Sequence, residues 1–307
     1  MQDAIIIGGG PAGLSAALVL ARCRRTVLIV DSGQPRNGAS RALHGYLTRD
    51  GVSPLDLRRL GREELEKYPG VEFQETTVTD ARRMEGGFEL TLLDGRSVAA
   101  QLLLLATGRV DPVPEIPGFR EYYGRGVFHC PYCDGWEHRD EALAVLGSGP
   151  KAVDLALVLL TWSAHVTIIA DIAPAWSEEA AATLREKQIR VVTGRVTRAQ
   201  GSDRLQRLFF QDREPLACQA VFFISECTQR STLPERLGCS FDDEFSVRCD
   251  GNAATGVPGL YVAGNVRGGL HFAIAAAAEG VEAALAMNEA LLERALPVAA
   301  ERSGVRG

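Results

Sequence analysis

The chain has 307 residues, of which 46% are hydrophobic and 23% charged, a composition that excludes disordered and collagen-like chains and at this length points to two domains. Thirty-nine acidic residues against 33 basic ones leave a net charge of -6, so no overall field favours nucleic acid or an anionic membrane surface. Seven cysteines are too few, and odd in number, to staple such a chain, which points to a reducing, cytoplasmic compartment and to local thiol chemistry.

No basic leader precedes the first apolar run, and the longest apolar stretches, residues 102–106 and 155–162, fall short of the ~20 residues of a membrane helix. Neither a targeting signal nor a transmembrane segment is expected. Residues 4–7 form a short β-branched strand, followed by Gly8-Gly9-Gly10-Pro11-Ala12-Gly13 and a helical pattern over residues 14–22. A second buried strand, residues 27–30, ends in Asp31, 23 positions after Gly8. In such a unit the first glycine makes the tight turn and Gly10 admits a pyrophosphate to the backbone. Gly13 lets the helix pack on the strand, and the acid takes ribose hydroxyls. The alternative, a glycine turn without function, leaves the flanking strands and the terminal acid unexplained.

Residues 71–105 read as strand-rich, with Gly86-Gly87 and Asp94-Gly95 as turns, and end in an apolar run before Ala106-Thr107-Gly108. Pro112, Pro114 and Pro117 mark a domain junction, or else a surface loop within one domain. A second strand and glycine turn, Leu143 through Gly147-Ser148-Gly149-Pro150, leads to a helix over residues 153–160, a strand over 166–170 and Asp171, 24 positions after Gly147. Two such units imply two nucleotide-sized domains. From about residue 246 a third segment carries Tyr261-Val262-Ala263-Gly264-Asn265 and an alanine-rich helix over residues 272–292, whose N-terminus suits a phosphate or a flavin but whose pattern is equally that of packing. Residues 297–307 read as a loose tail.

The sharpest chemistry lies in His129-Cys130-Pro131-Tyr132-Cys133-Asp134-Gly135. Two thiols at this spacing can close a small disulfide and commonly hold one thiol at a lowered pKa. Zinc is the competing reading, but it wants four ligands, and Cys218, Cys227, Cys239 and Cys249 are irregularly spaced and read more simply as buried small hydrophobes. Asp134 is placed to move the proton of thiol exchange, or else to cap a turn. His129 and His138 are further proton carriers or structural histidines.

Taken in order, these motifs, together with Ile116-Pro117-Gly118, resemble the low-molecular-weight thioredoxin reductase family of FAD disulfide oxidoreductases over nearly the whole chain. The resemblance implies an α/β fold of two Rossmann-like, three-layer ββα dinucleotide-binding domains, the second inserted in the first. The FAD-binding domain would comprise residues 1–113 and 246–307, and residues 114–245 would form a central NAD(P)-type domain carrying the disulfide. FAD would be held by Gly8, Gly10, Pro11, Ala12, Gly13, Asp31, Ser32, Arg36, Asn37, His44, Val78, Ala106, Thr107, Gly108, Gly264, Asn265, Phe272 and Ala273. Cys133 would face the flavin, Cys130 would exchange with a protein or small-molecule thiol partner, and Asp134 would be the acid-base residue. Family members are homodimers whose domains rotate so that the disulfide meets flavin and partner in turn.

Several residues depart from that pattern. The place of the arginines that hold the 2'-phosphate of NADPH reads Ile168-Ile169-Ala170-Asp171-Ile172-Ala173-Pro174, with an acid that repels a phosphate. Pro150 and Lys151 replace small residues in the preceding turn, and proline removes a donor. Ser225-Glu226-Cys227 stands where a Gly-x-x-Pro-Asn stretch is usual, and Asn265 and His271-Phe272 alter the flavin end. NADPH is therefore disfavoured, and the signature is most similar to the pyridine-nucleotide-independent, cyanobacterial diflavin-linked branch, with a second FAD in the nicotinamide region. The chain is thus expected to be an FAD-dependent dithiol oxidoreductase. The alternatives are a conventional NAD(P)H-dependent thioredoxin reductase and a non-catalytic redox-sensing flavoprotein.

Overall fold

A computed structural model describes residues 1–296, so the tail expected over residues 297–307 lies outside the described residues. The described residues divide into two compact units, the first formed by Met1–Arg36, Leu55–Val110 and residues 228–296, the second by Asn37–Pro54 and Asp111–Cys227. Among the described residues no helix is long and apolar enough to cross a membrane.

The first unit begins with β1 (Gln2–Ile7), α1 (Pro11–Arg22) and β2 (Val27–Asp31). β1 is central because Ala4, Ile5, Ile6 and Ile7 are buried on both faces, as a parallel strand covered on each side requires. Pro11 opens α1, where its missing N–H costs nothing. After α2 (Pro54–Leu65) come β3 (Val71–Glu75), β4 (Val78–Met84), β5 (Gly87–Leu92), β6 (Ser97–Leu105) and the short β7 (Arg109–Val110). The sheet order is β3-β2-β1-β6-β5-β4, parallel from β3 to β6 and antiparallel beyond. Residues 102–105 of β6 bring Ala106-Thr107-Gly108 to the same end of the sheet as the glycine turn.

The second unit repeats the plan with α3 (Phe119–Tyr122), β8 (Val127–Phe128), α4 (Pro131–Asp134), β9 (Leu143–Leu146), α5 (Pro150–Leu159), β10 (Val166–Ala170), α6 (Glu178–Glu186) and β11 (Arg190–Thr193). An antiparallel excursion, β12 (Val196–Gly201), β13 (Leu205–Phe210) and β14 (Leu216–Ala217), precedes β15 (Ala220–Phe223). The parallel sheet runs β11-β10-β9-β15-β8. Its faces bury one cluster around Phe119, Val221 and Phe223 and another around Val145, Leu159 and Phe222.

The return to the first unit comes earlier in the chain than residue 246. β16 (Thr228–Gln229) pairs with β7, and Gln229 Nε2 donates to the carbonyls of Phe245 (2.8 Å) and Val266 (2.9 Å). Leu233 and Leu237, on and just beyond α7 (Leu233–Arg236), join Ile5, Val30 and Leu105 in one apolar cluster. Residues 228–245 thus pack with the first unit, because their apolar side chains complete its core. β17 (Leu260–Val262) then adds to β6 along the edge that β5 uses, and α8 (Ala273–Ala295) packs on α1.

The helices α1 and α8 approach through Gly280, where a Cβ would fall against the Ala12 carbonyl oxygen, far inside van der Waals contact. Glycine to alanine within a helix ordinarily gains about 1 kcal/mol, whereas overpacking costs about 1–3 kcal/mol. The close approach wins, so a Gly280→Ala protein is expected to melt at a lower temperature than wild type by thermal denaturation.

Candidate active site

At the first glycine turn, Gly8 has φ +114° and its Cβ position is filled by the Ala106 carbonyl, so the turn and residues 106–108 are locked together. The Gly8 amide donates to the Val30 carbonyl at 2.8 Å. Nothing lies within 4 Å of a Cβ placed on Gly10, and α1 has no side-chain cap, so its first-turn amides, those of Ala12 and Gly13, face an open cradle. Thr107 Oγ1 is buried without a hydrogen-bond partner among the described residues. A cradle of unspent amides with a buried, unpaired hydroxyl beside it fits the pyrophosphate and ring of FAD.

Gly264 meets Ala12 with 3.0 Å between its would-be Cβ and that of Ala12, which places Gly264 and Asn265 beside the start of α1. Phe272 and Ala273 form the uncapped entry to α8. The Gly264 amide donates to Glu279 Oε2 at 2.7 Å. Burial raises the Glu279 carboxyl above its ordinary range against the pull of that amide and of Arg267.

Asp31 is not free to serve a ribose alone. Arg58 Nη2 is ion-paired to its Oδ2, and Arg62 Nη2 reaches the same oxygen at 2.8 Å. Arg58 also donates to the carbonyls of Gly9 (3.2 Å) and Gly33 (3.5 Å). Burial alone would raise the Asp31 carboxyl, but Arg58, the Gly9 amide and Arg62 together hold it below the usual range. Sequence reasoning missed both arginines. The available signal was their place at i and i+4 on the buried face of α2, with Pro54, Gly61 and Leu65. Ser32 is exposed just after β2, whereas Val78 is buried at the start of β4.

The cysteines of the second unit are joined as Cys130–Cys133, with 5.3 Å between their Cα atoms. Cys130 caps the one-turn helix α4, and Gly135 closes it by donating to the Pro131 carbonyl at 2.8 Å. Gly135 has no room for a side chain, because Trp162 lies 2.6 Å from its Cβ position. Asp134 follows the disulfide immediately, and its carboxyl is pushed up to about 7, first by burial and then by the Glu137 carboxylate, with His44 opposing. A carboxyl in that range can hold or release a proton at neutral pH.

His129 Nδ1 lies 3.0 Å from the Tyr123 hydroxyl and its Nε2 lies 3.6 Å from Asp111 Oδ2; the Ser225 hydroxyl donates to Asp111 Oδ1 at 2.7 Å. His138 is buried with Nδ1 2.7 Å from Glu141 Oε2, as a structural histidine. Of the remaining cysteines, Cys218 and Cys239 are buried, and burial pushes their thiols up to about 12 and about 11. Cys227 and Cys249 are only half-buried, so the expectation that all four fill the core holds for two of them. Arg36 ends the first stretch of the first unit, while Asn37 and His44 lie on the segment that packs with the second.

At the second glycine turn, the Ser148 hydroxyl donates to Asp171 Oδ1 at 2.9 Å, and the Ala175 amide donates to the Ser148 carbonyl at 2.7 Å. The loop after β10 is thereby pinned back onto the turn, and residues 168–174 supply no cation to a phosphate. Gly149 retains an open Cβ face.

A dinucleotide cradle, a repeat of it with its acid already engaged, and a Cys-x-x-Cys disulfide beside a carboxyl that titrates near neutrality together define a nucleotide-linked redox protein. The profile described as "Pyridine nucleotide-disulphide oxidoreductase" matches residues 2–280. Among curated proteins, the "Probable thioredoxin reductase" of Arthroderma benhamiae is 32% identical over 302 residues, covering 86% of this chain and 73% of that protein. The solved structure of HlmI superposes with a TM-score of 0.91 at 35% identity, covering 96% of this chain and 93% of that one. The thioredoxin reductase of Streptococcus pyogenes MGAS5005 superposes with a TM-score of 0.87 at 27% identity, covering 96% and 99%. The chain belongs to the pyridine nucleotide-disulphide oxidoreductase family and is a thioredoxin reductase-like disulfide oxidoreductase, a class that carries FAD.

Proposed function

We propose that this enzyme passes electrons between a dithiol partner and FAD through Cys130–Cys133, without NADPH as an efficient donor. The observation that carries the reading is the second glycine turn. Ser148 occupies the Asp171 carboxylate, the Ala175 amide pins the following loop, and no cation in residues 168–174 awaits a 2'-phosphate. The same reading takes the chain as a homodimer in a reducing cytoplasm, with residues of the first glycine turn, Thr107 and the entry of α8 holding FAD.

Bound FAD supplies a two-electron acceptor. The chain's own chemistry begins when a thiolate of the partner attacks Cys130 Sγ, forming a mixed disulfide and breaking the Cys130–Cys133 bond, with Cys133 leaving as thiolate. The partner's second thiol loses its proton to solvent and attacks the partner sulfur of the mixed disulfide. Cys130 leaves and takes the proton held by Asp134. The partner is then oxidised to a disulfide, and the two electrons reside on the cysteine pair.

Anaerobic titration of the purified enzyme with NADPH, NADH and a dithiol, following flavin absorbance, tests this reading. The expected result is bleaching by dithiol and none by about one equivalent of either nucleotide. Bleaching by a nucleotide would restore the conventional NAD(P)H-dependent thioredoxin reductase, a reading favoured by the open face of Gly149 and the uncapped start of α5. The diflavin branch predicts two flavins per chain in the same sample, and the ordinary arrangement predicts one.

A further inference from the structure

The environment of Asp134 includes a side chain from far outside the cysteine motif. Residues 43–52 close into a turn through paired hydrogen bonds, Leu43 N to Val52 O (2.8 Å) and Gly51 N to Leu43 O (2.9 Å), and this turn carries His44. Asp50 Oδ1 accepts from the Gly45 amide at 2.8 Å, while its Oδ2 lies 3.5 Å from His44 Nδ1, so the loop orients its own imidazole. The other ring nitrogen, Nε2, faces Glu137 Oε1 at 3.4 Å. Glu137 stands three residues beyond Asp134, and the imidazole between its two carboxylates is 23% exposed while Glu137 itself is 40% exposed, so the pair is partly but not fully screened by solvent.

We propose that His44 is a positioning residue for thiol–disulfide exchange: anchored by Asp50, it holds the Glu137 carboxylate, and that pairing sets the pH range over which Asp134 keeps its proton. The inference rests on the reading of Asp134 as the acid-base group. The charged groups acting on Asp134 are Glu137, which disfavours its ionisation, and His44, which favours it; burial is the larger influence, and neither substitution below removes it. Loss of Glu137 and loss of His44 therefore move the Asp134 transition in opposite directions. A merely structural role for either residue cannot produce that pair of signs.

The test uses flavin-loaded protein, with flavin absorbance per chain matched between variants. Full reduction by dithiothreitol, scored as alkylation of both Cys130 and Cys133 with no dithiothreitol adduct left on Cys130, is followed across pH by rapid alkylation and mass spectrometry, and each rate is divided by the thiolate concentration. In wild type this rate is expected to fall as pH rises through about 7. Glu137→Gln is expected to move the fall lower by about half a unit or more, and His44→Gln to move it higher by a similar amount. His44→Lys, which places a fixed positive charge there, should return the fall toward its wild-type position or below it. If neither glutamine variant shifts the fall while Asp134→Asn abolishes it, the inference is overturned. If Asp134→Asn leaves the fall in place, the reading of Asp134 itself is overturned instead. Should His44→Gln not fold, Glu137→Gln alone decides, and a fall that stays put or moves upward overturns the inference.

Discussion

A Cys130→Ser protein is expected to keep its fold and its flavin while losing dithiol turnover by about 10³-fold or more. A hydroxyl can neither be attacked as a disulfide sulfur nor form a mixed disulfide, so the first step has no substitute. The fold should persist because the Cys130–Cys133 bridge closes a loop of sequence separation 3, and loop-closure entropy assigns so short a link only about 2 kcal/mol. FAD retention follows from the placement of its candidate ligands, the glycine turn, Thr107 and the start of α8, in the first compact unit, whereas Cys130 belongs to the second. Turnover with dithiothreitol and flavin content per chain measure the two halves of this expectation. Cys133→Ser supplies the complementary result: Cys130 remains free to attack a partner disulfide, and the mixed species accumulates because no resolving thiol follows it. Mass spectrometry of that adduct separates the exchanging cysteine from its neighbour, and an adduct on Cys133 in the Cys130→Ser protein would reverse the assignment.

Asp134→Asn is expected to impair exchange yet stabilise the fold at alkaline pH. In the folded chain the carboxyl takes its proton at about 7, mainly because burial disfavours its charge, whereas its unperturbed value is 3.8. Between those values the native state binds more protons than the unfolded state, so wild-type stability falls as pH rises through this window, and the full cost is present above it. That cost is on the order of 2–4 kcal/mol. Asparagine has a similar shape and no charge to desolvate, so the melting temperatures of variant and wild type should diverge as pH rises from about 4 to 8. At the acid end the two should nearly coincide. A difference in melting temperature that does not depend on pH would show that burial does not set the carboxyl's proton affinity. The residue therefore works against the fold at the pH where it serves exchange, as a group placed for proton transfer does.

Much of this protein follows from local patterns in its sequence. The β-branched run at residues 4–7 became a central strand, because four successive apolar side chains need cover on both faces. Gly8, Gly10 and Gly13 marked the turn, since backbone conformation and close approach are properties of the residue itself. The spacing of Cys130 and Cys133 indicated that they could close a disulfide, because three positions on one short turn bring two sulfurs within reach. The repeated strand, turn and helix announced two units.

Only the tertiary structure decided how charges are distributed around these motifs. Asp31 ends its strand as the pattern requires, but its partners Arg58 and Arg62 come from a helix 27 and 31 positions later. Residues 228–245 belong with the first unit because Leu233 and Leu237 find their apolar neighbours there, a matter of long-range packing that local composition does not encode. Asp171 and Ser148 stand 23 positions apart, and their contact depends on the register between β9 and β10. His44 meets Glu137 across more than ninety positions of sequence. Local motifs fix which chemistry is present, because bond geometry and backbone sterics act within a few residues. The proton affinity of Asp134 and the engagement of the second glycine turn depend on burial and on charges brought together by the fold, and these exist only once the chain is packed.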